Sequence, residues 1–304
     1  MMLDRSERKH RPEALEAGTL GCVFVNVAPL RRDASDASEQ VSQLLCGELA
    51  EVVALGERDW VYLRCLHDGY FGWCDGKQLF RWTTQAAGDF EMGVTRSLFS
   101  KWVRTFRDAS VVQFLSMGSQ PWRVRASKQE SIEKTQEIPI WEALEAEEAK
   151  EAVWAAAEHE KTSAEQAVTA AEQWMGVPYL WGGRSAHGVD CSGLTQVTAA
   201  MGGIRLPRDA SQQWQALEPV DWSERRRGDL AFFTNPQGQI IHVAWLLSPE
   251  TVLHAAGEVR KDGLTAQGIV RRQTGDGGAD EEGVLTHVLA GIRRLPRPGP
   301  GATD

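Results

Sequence analysis

The chain has 304 residues, 42% hydrophobic and 25% charged, with a formal net charge of −9. The composition is globular, and a chain of this length allows about two or three domains. No uncharged apolar run approaches the roughly 18–20 residues of a membrane-spanning helix, and no strong basic block stands out, which argues against nucleic acid as the main partner and weakly against an anionic membrane surface.

The first residues, MMLDRSERKHRPEALEAGTL, contain no apolar core of the about 7–15 residues that an export signal requires. The expectation is a cytoplasmic protein. Cysteine usage agrees: Cys22, Cys46, Cys65 and Cys74 lie early with no C-x-x-C spacing, so they read as buried thiols and not as a zinc site.

Residues from about 20 to 85 read as β. VFVNV (23–27) and AEVVAL (50–55) are short and β-branched, WVYLRCL (60–66) alternates, and DGYFGWC (68–74) sets an Asp-Gly turn against aromatic strand residues. Several short strands separated by turns predict a small barrel. VVQFL (111–115) and WRVRA (122–126) predict a second, less regular β unit. The Ala- and Glu-rich stretch 142–160 predicts a connecting helix. The tail RPGPGATD (297–304) is expected to be disordered.

The chemistry lies in residues 162–296. Thr162 to Trp174 carries a helical apolar pattern that Gly176 and Pro178 terminate, and PYLWGG (178–183) follows as a loop. In VDCSGLTQVTAAMGG (189–203), Leu194, Val197, Thr198 and Met201 recur at helical spacing and Gly202-Gly203 stops the helix. Cys191 therefore sits at a helix N-terminus, where the partial positive charge favours the thiolate a cysteine nucleophile needs.

Two histidines stand in strand-like segments, His242 in QIIHVAWLL and His254 in TVLHAAG, with a Ser-Pro-Glu turn between them. A hairpin symmetric about Pro249 faces residue 242 with 256 and residue 244 with 254. The two histidines then become diagonal neighbours on one sheet face; a slip by one residue separates them. One imidazole could take the thiol proton while the other orients it. Spacing alone leaves the plain alternative open, a structural cysteine and two core histidines.

Read together, PYLWGG, DCSGL, LPRDASQQ (206–213), GDLAFF (228–233), IIHVAWLL and VLHAAG stand in the order typical of the NlpC-type cysteine peptidases, and residues 162–296 resemble that papain-like family. The resemblance implies that Cys191 is the nucleophile, His242 the general base and acid, and His254 the orienting third residue. It also implies that the Cys191 backbone N–H helps form an oxyanion hole, and that Tyr179 lies beside the nucleophile. SEQVSQLLCGE (38–48), WVYL and DGYFGW resemble the first bacterial SH3-like domain of the NlpC-type γ-D-glutamyl-L-diamino acid endopeptidases.

The implied architecture is α+β. An SH3-like barrel spans 1–85, a second SH3-like barrel with a helical linker 86–160, and a papain-like peptidase domain 161–296, with 297–304 as the tail. The first barrel is expected to bind the free amine of an N-terminal L-Ala, with Glu39 supplying charge and Tyr70 an acceptor oxygen. Asp190 and Ser192 flank the nucleophile and could position substrate, although Asp190 is also a good helix N-cap. The expected activity is hydrolysis of free murein tri- or tetrapeptides with release of L-Ala-D-Glu. No cofactor or metal is implied. Whether the third residue is diaminopimelate or lysine, and the oligomeric state, stay open.

Arg208 reads as a structural salt-bridge residue, His187 as variable surface and His287, in a late strand, as structural. Three other functions compete. An amidase or acyltransferase on the same core would keep Cys191 and His242 without needing Glu39 and Tyr70. A non-catalytic cell-wall peptide-binding protein would carry an unreactive Cys191. A metal hydrolase would use Cys191, His242 and His254 as ligands.

Overall fold

The computed structural model describes residues 14–82, 116, 164–271 and 283–296, together with the backbone of short strands at 90–92, 101–105, 112–115, 122–124 and 141–143. The chain divides into two compact units, Met1–Val153 and Trp154–Asp304.

In the first unit, strands β1 (Leu20–Val23), β2 (Val27–Arg31), β3 (Gln40–Leu45), β4 (Leu49–Leu55), β5 (Trp60–Cys65), β6 (Phe71–Asp75) and β7 (Leu79–Trp82) form one seven-stranded sheet in the order β3-β2-β6-β5-β4-β1-β7. Alternation in these strands turns Val23, Leu30, Leu44, Val52, Val61 and Leu63 into one core. VFVNV is not one strand. The chain changes partners there: β1 pairs with β4 and β7, β2 with β3 and β6, and Asn26 occupies the corner, its Oδ1 accepting the Ser116 N–H at 2.7 Å. Cys22, Cys46, Cys65 and Cys74 are buried, as expected.

Five short strands follow: β8 (Phe90–Met92), β9 (Lys101–Thr105), β10 (Val112–Leu115), β11 (Trp122–Val124) and β12 (Trp141–Ala143). They pair as a three-stranded sheet β10-β9-β12 and a two-stranded sheet β11-β8. Among the described residues one SH3-sized sheet is therefore evident, not two. The predicted helix over 142–160 is corrected at its start: Trp141 and Ala143 pair with Thr105 and Val103, so ladder bonds override the helical propensity there. Residues 144–160, and the tail 297–304, lie outside the described residues.

In the second unit, helices α1 (Ala164–Glu172), α2 (Cys191–Met201) and α3 (Ala210–Ala216) accompany a sheet of seven strands. After the small hairpin of β13 (Arg184–Ser185) and β14 (Gly188–Val189) come β15 (Glu218–Val220), β16 (Leu230–Thr234), β17 (Ile240–Ser248), β18 (Thr251–Ala256), β19 (Glu258–Thr265), β20 (Gly268–Arg271) and β21 (Val284–Arg294). The sheet order is β15-β21-β16-β17-β18-β19-β20, and β21 also pairs with β20. Helix α2 is fastened to β17 by the buried Trp245 indole, which donates to Thr198 Oγ1 at 3.0 Å, and to α3 through Thr195 Oγ1 and Gln213 Oε1 at 2.8 Å. No described helix is long and apolar enough to cross a membrane.

Candidate active site

Cys191 is the first residue of α2, and Asp190 is its N-cap in extended conformation. The Asp190 carboxylate is saturated with donors. Its Oδ1 accepts from Gly193 N–H (2.6 Å) and Arg208 Nη1 (3.1 Å), and its Oδ2 from Gly182 N–H (2.9 Å) and Arg208 Nη2 (2.5 Å). Arg208 also donates to Ser192 Oγ at 2.9 Å. Its predicted salt-bridge role is therefore seen as a fully buried ion pair with Asp190. Burial works against the Arg208 charge, Asp190 more than offsets it, and the guanidinium pKa rises.

The glycines of WGG and DCSG have a steric reason. A Cβ on Gly193 would lie 2.1 Å from the Gly183 carbonyl oxygen, and one on Gly183 would lie 2.4 Å from that of Gly188. The PYLWGG loop and the start of α2 touch backbone to backbone, and any side chain would push the nucleophile out of place.

Residues 242 and 254 meet as the hairpin register requires. Trp245 pairs with Leu253 and Leu246 with Val252, the register that faces 244 with 254. His242 Nε2 lies 2.8 Å from His254 Nδ1. The Cys191 sulfur lies beside the same strand, where the Val243 and Ser192 amides favour its thiolate form. Cys191 and both histidines are buried.

The electrostatics differ from the simple helix-terminus expectation. Burial pushes the Cys191 thiol up to about 12, Asp190 pushes in the same direction, and the Val243 amide, Arg208 and the Ser192 amide only partly counter them. Burial, then His254 and His287, hold the His242 imidazole well below its ordinary value. The macrodipole acts at the surface value of a helix end, about 0.3–1 kcal/mol; removing the sulfur from water outweighs it. The resting pair is a neutral thiol and a neutral imidazole, and proton transfer belongs to the reaction.

Three side chains missing from the sequence-derived set belong here. His254 Nε2 lies 2.9 Å from Asp262 Oδ2, and Arg260 donates to the same oxygen from Nε at 2.9 Å. His287 stacks on His242 with ring centroids 4.4 Å apart and planes 26° from parallel, so the late-strand histidine is part of the site. The signal for Asp262 was its alternation with Arg260 in β19, antiparallel to β18; without the register of that pairing it reads as a surface charge.

The remaining candidates are placed as follows. Tyr179 is partly exposed; burial and the neighbouring Cys191 and Asp190 push its phenol up to about 12. Ser192 Oγ is engaged by Asp190 and Arg208. His187 is exposed. In the first unit, Glu39 pairs with Arg32 at the surface. Tyr70 packs on the barrel core, its N–H held by Asp68 Oδ1 at 2.9 Å. Two shielded carboxylates stand near that turn: Asp68, whose Oδ2 lies 3.1 Å from His67 Nε2, and Glu48, 2% exposed, whose Oε2 accepts the Leu45 N–H at 2.9 Å and lies 3.9 Å from His67 Nδ1.

A metal centre needs three or more ligand atoms within reach of one another. Among the described residues the one such cluster, with ligand atoms all within 4.8 Å, is Cys65, His67 and Asp68 in the first unit.

Comparison with known proteins agrees with this arrangement. Residues 176–276 match the NlpC/P60 family and residues 30–79 the bacterial dipeptidyl-peptidase SH3 domain. The chain is 36% identical over 98 residues to a γ-D-glutamyl-L-lysine dipeptidyl-peptidase of Bacillus subtilis, covering 32% of this chain and 33% of that protein. A protein of the same name from Bacillus cereus is 34% identical over 95 residues, covering 31% of this chain and 28% of that protein. The matched stretches thus span about a third of those relatives. Dipeptidyl-peptidase 6 of Lysinibacillus sphaericus is 24% identical over 261 residues, 78% of this chain and 88% of that protein. The crystal structure of an NlpC/P60 family protein from Bacillus cereus superposes with a TM-score of 0.67 at 19% identity, covering 91% of this chain and all of that one. With a buried cysteine opening a helix and a His–His strand pair in the same unit, residues 176–276 belong to the NlpC/P60 cysteine peptidase family, and residues 30–79, earlier in the chain, to the bacterial dipeptidyl-peptidase SH3 domain.

Proposed function

We propose that the protein hydrolyses the γ-D-glutamyl–L-diamino acid bond of free murein peptides with an unblocked N-terminal L-Ala, releasing L-Ala-D-Glu. The observation that carries this reading is the coupling of the Cys191–His242–His254 arrangement to an SH3 domain of the bacterial dipeptidyl-peptidase type. A cytoplasmic role in peptide recycling, where such peptides are free in solution, is part of the same reading.

His242, neutral at rest, takes the Cys191 proton as the sulfur attacks the γ-carbonyl carbon. The Cys191 backbone N–H, which has no intrahelical acceptor at the first position, stabilises the oxyanion. His242 then protonates the departing amine, and water cleaves the thioester. Tyr179 and Ser192 line the substrate beside the nucleophile. Asp190, saturated by its donors, acts by holding the helix start and the PYLWGG loop.

For the substrate ammonium, Tyr70 supplies an acceptor. Glu48 is the stronger partner than Glu39, because it is buried and Glu39 is already neutralised by Arg32 at the surface. A buried carboxylate left facing an amide is costly, so an N-acetylated peptide is rejected.

The test is mass spectrometry of L-Ala-γ-D-Glu-meso-diaminopimelate, its lysine analogue and their N-acetyl forms. Cleavage of the free-amine peptides only is expected; equal cleavage of the acetylated forms would remove the amine-recognition role. Glu48→Gln is expected to lower kcat/KM by about 10–100-fold on the free-amine peptide. Glu39→Gln is expected to change it less than threefold, and the reverse ranking would assign the ammonium to Glu39.

The pH profile follows from His242. The base works only when neutral, and the folded site holds its pKa well below the ordinary 6.5. The acid limb of kcat/KM is therefore expected below pH 6.5. The alkaline limb reports loss of the substrate ammonium, near its ordinary ~8. An acid limb above 6.5 would contradict the neutral resting pair.

A further inference from the structure

The two catalytic histidines end on a carboxylate. His242 Nε2 meets His254 Nδ1 at 2.8 Å, His254 Nε2 meets Asp262 Oδ2 at 2.9 Å, and Arg260 closes the row on the same oxygen, with Nε at 2.9 Å and Nη2 at 2.8 Å. The strand register builds this row. His254 faces Arg260 and Val252 faces Asp262 across β18 and β19, so Asp262 is the diagonal neighbour of His254. The His254 side chain is wholly shielded from water and that of Asp262 is 9% exposed, so solvent does not compete for the bond.

An ionised carboxylate only accepts. Facing Asp262, His254 Nε2 must carry its hydrogen, and a His254 ring holding a single proton then offers a lone pair at Nδ1. His242 Nε2 must therefore be the donor to His254, which leaves His242 Nδ1 as the bare nitrogen. Each step follows from the one before: Asp262 can only accept and Arg260 can only donate, so the two histidines take their roles from the carboxylate.

We infer that Asp262, held in place by Arg260, is a positioning residue that sets the tautomers of both histidines and so leaves His242 Nδ1 free to accept the Cys191 proton. This rests on the peptidase reading for its kinetic consequence only. The bonds from His254 and Arg260 outweigh burial and lower the Asp262 pKa, so the carboxylate stays ionised wherever the enzyme works. As His242 becomes an imidazolium, His254 still offers Nδ1 to its Nε2–H, and no proton has to pass down the row.

Asp262→Asn is the test, because an amide can present either a donor or an acceptor to His254. When the NH2 faces Nε2, the hydrogen of His254 moves to Nδ1, His242 Nε2 becomes the acceptor, and Nδ1–H points the wrong way for the thiol. The expected result is a kcat lower by about 10²–10⁴-fold, the upper end being the effect of the same carboxylate-to-amide change in a Ser-His-Asp triad, with KM within threefold. Asp262→Ala imposes no donor and is expected to lose less than Asp262→Asn. A merely structural role predicts that the Ala variant is the worse of the two, and that ranking, or an Asn variant within threefold of the parent kcat, overturns the inference.

Imidazole 15N shifts of the substrate-free protein near neutral pH supply a readout independent of turnover. His242 is expected to show a bare Nδ1 in the parent and a protonated Nδ1 in Asp262→Asn; unchanged tautomers overturn the inference. Should the peptidase reading fail while these shifts move as stated, the tautomer row stands without it. Should Asp262→Asn not fold, Asp262→Ala supplies the readout: it removes the acceptor, the histidine shifts are expected to leave their parent values, and an unchanged parent tautomer in that variant overturns the role assigned to Asp262.

Discussion

Cys191→Ala is expected to fold as the parent protein does and to lose roughly 10⁴–10⁶-fold of its turnover, the scale on which removal of a nucleophile acts. The substitution deletes one sulfur from a position 8% exposed and leaves the helix start capped by Asp190. Loss of a single buried atom costs about 1 kcal/mol, too little to unfold a domain of ordinary stability. The chemistry has no substitute. The remaining groups of the site, His242, His254 and the helix amides, can orient water but form no thioester. Single-turnover assays on the free-amine tripeptide, with circular dichroism on the same sample, separate the two effects. Turnover within tenfold of the parent would place the nucleophile elsewhere and return weight to a metal-dependent or non-covalent mechanism.

Arg208→Ala is expected to be the most destabilising single change in the catalytic unit, by about 3–5 kcal/mol, the range for stranding one partner of a buried ion pair. Arg208 is 2% exposed and supplies two of the donors on the Asp190 carboxylate and one to Ser192 Oγ. Without it, Asp190 keeps the Gly193 and Gly182 amides but remains a buried charge with no counter-charge. The loop and the helix start are both drawn onto that carboxylate, so activity falls with stability. Urea unfolding followed by the fluorescence of the buried Trp174 and Trp245 gives the midpoint shift. The pair Arg208→Met with Asp190→Asn is expected to recover part of the loss, because neither charge is then stranded. A shift below 1 kcal/mol for Arg208→Ala would mean that water reaches Asp190 and that the pair only decorates the site.

Much of the catalytic unit was legible because its signals are local. Cys191 at a helix start follows from the apolar spacing Leu194, Val197, Thr198 and Met201 together with the Gly202-Gly203 stop, and α2 has those bounds. The facing of His242 and His254 follows from a turn centred on Pro249, and a two-residue period then puts both on one face. The first barrel was legible as short alternating strands. VFVNV misled because β-branched residues report strand preference and not the corner at Asn26 where the chain changes partners. A second barrel over 86–160 is implied mainly by the family's architecture, and the described strands there are short and split between two small sheets.

What the sequence determined by itself is the set of short-range choices: where helices start and stop, which strand faces are apolar, and which cysteine stands at a helix end. Only the tertiary structure decided how charge is distributed among them. Burial raises the Cys191 thiol and lowers the His242 imidazole, Asp190 is consumed by Arg208 and two backbone amides, and Asp262 and His287 join the site from strands β19 and β21. These outcomes depend on desolvation and on contacts between residues distant along the chain. Neither quantity is a property of any local window of sequence, because the dielectric around a group and the identity of its neighbours come into being only when the sheet closes over it.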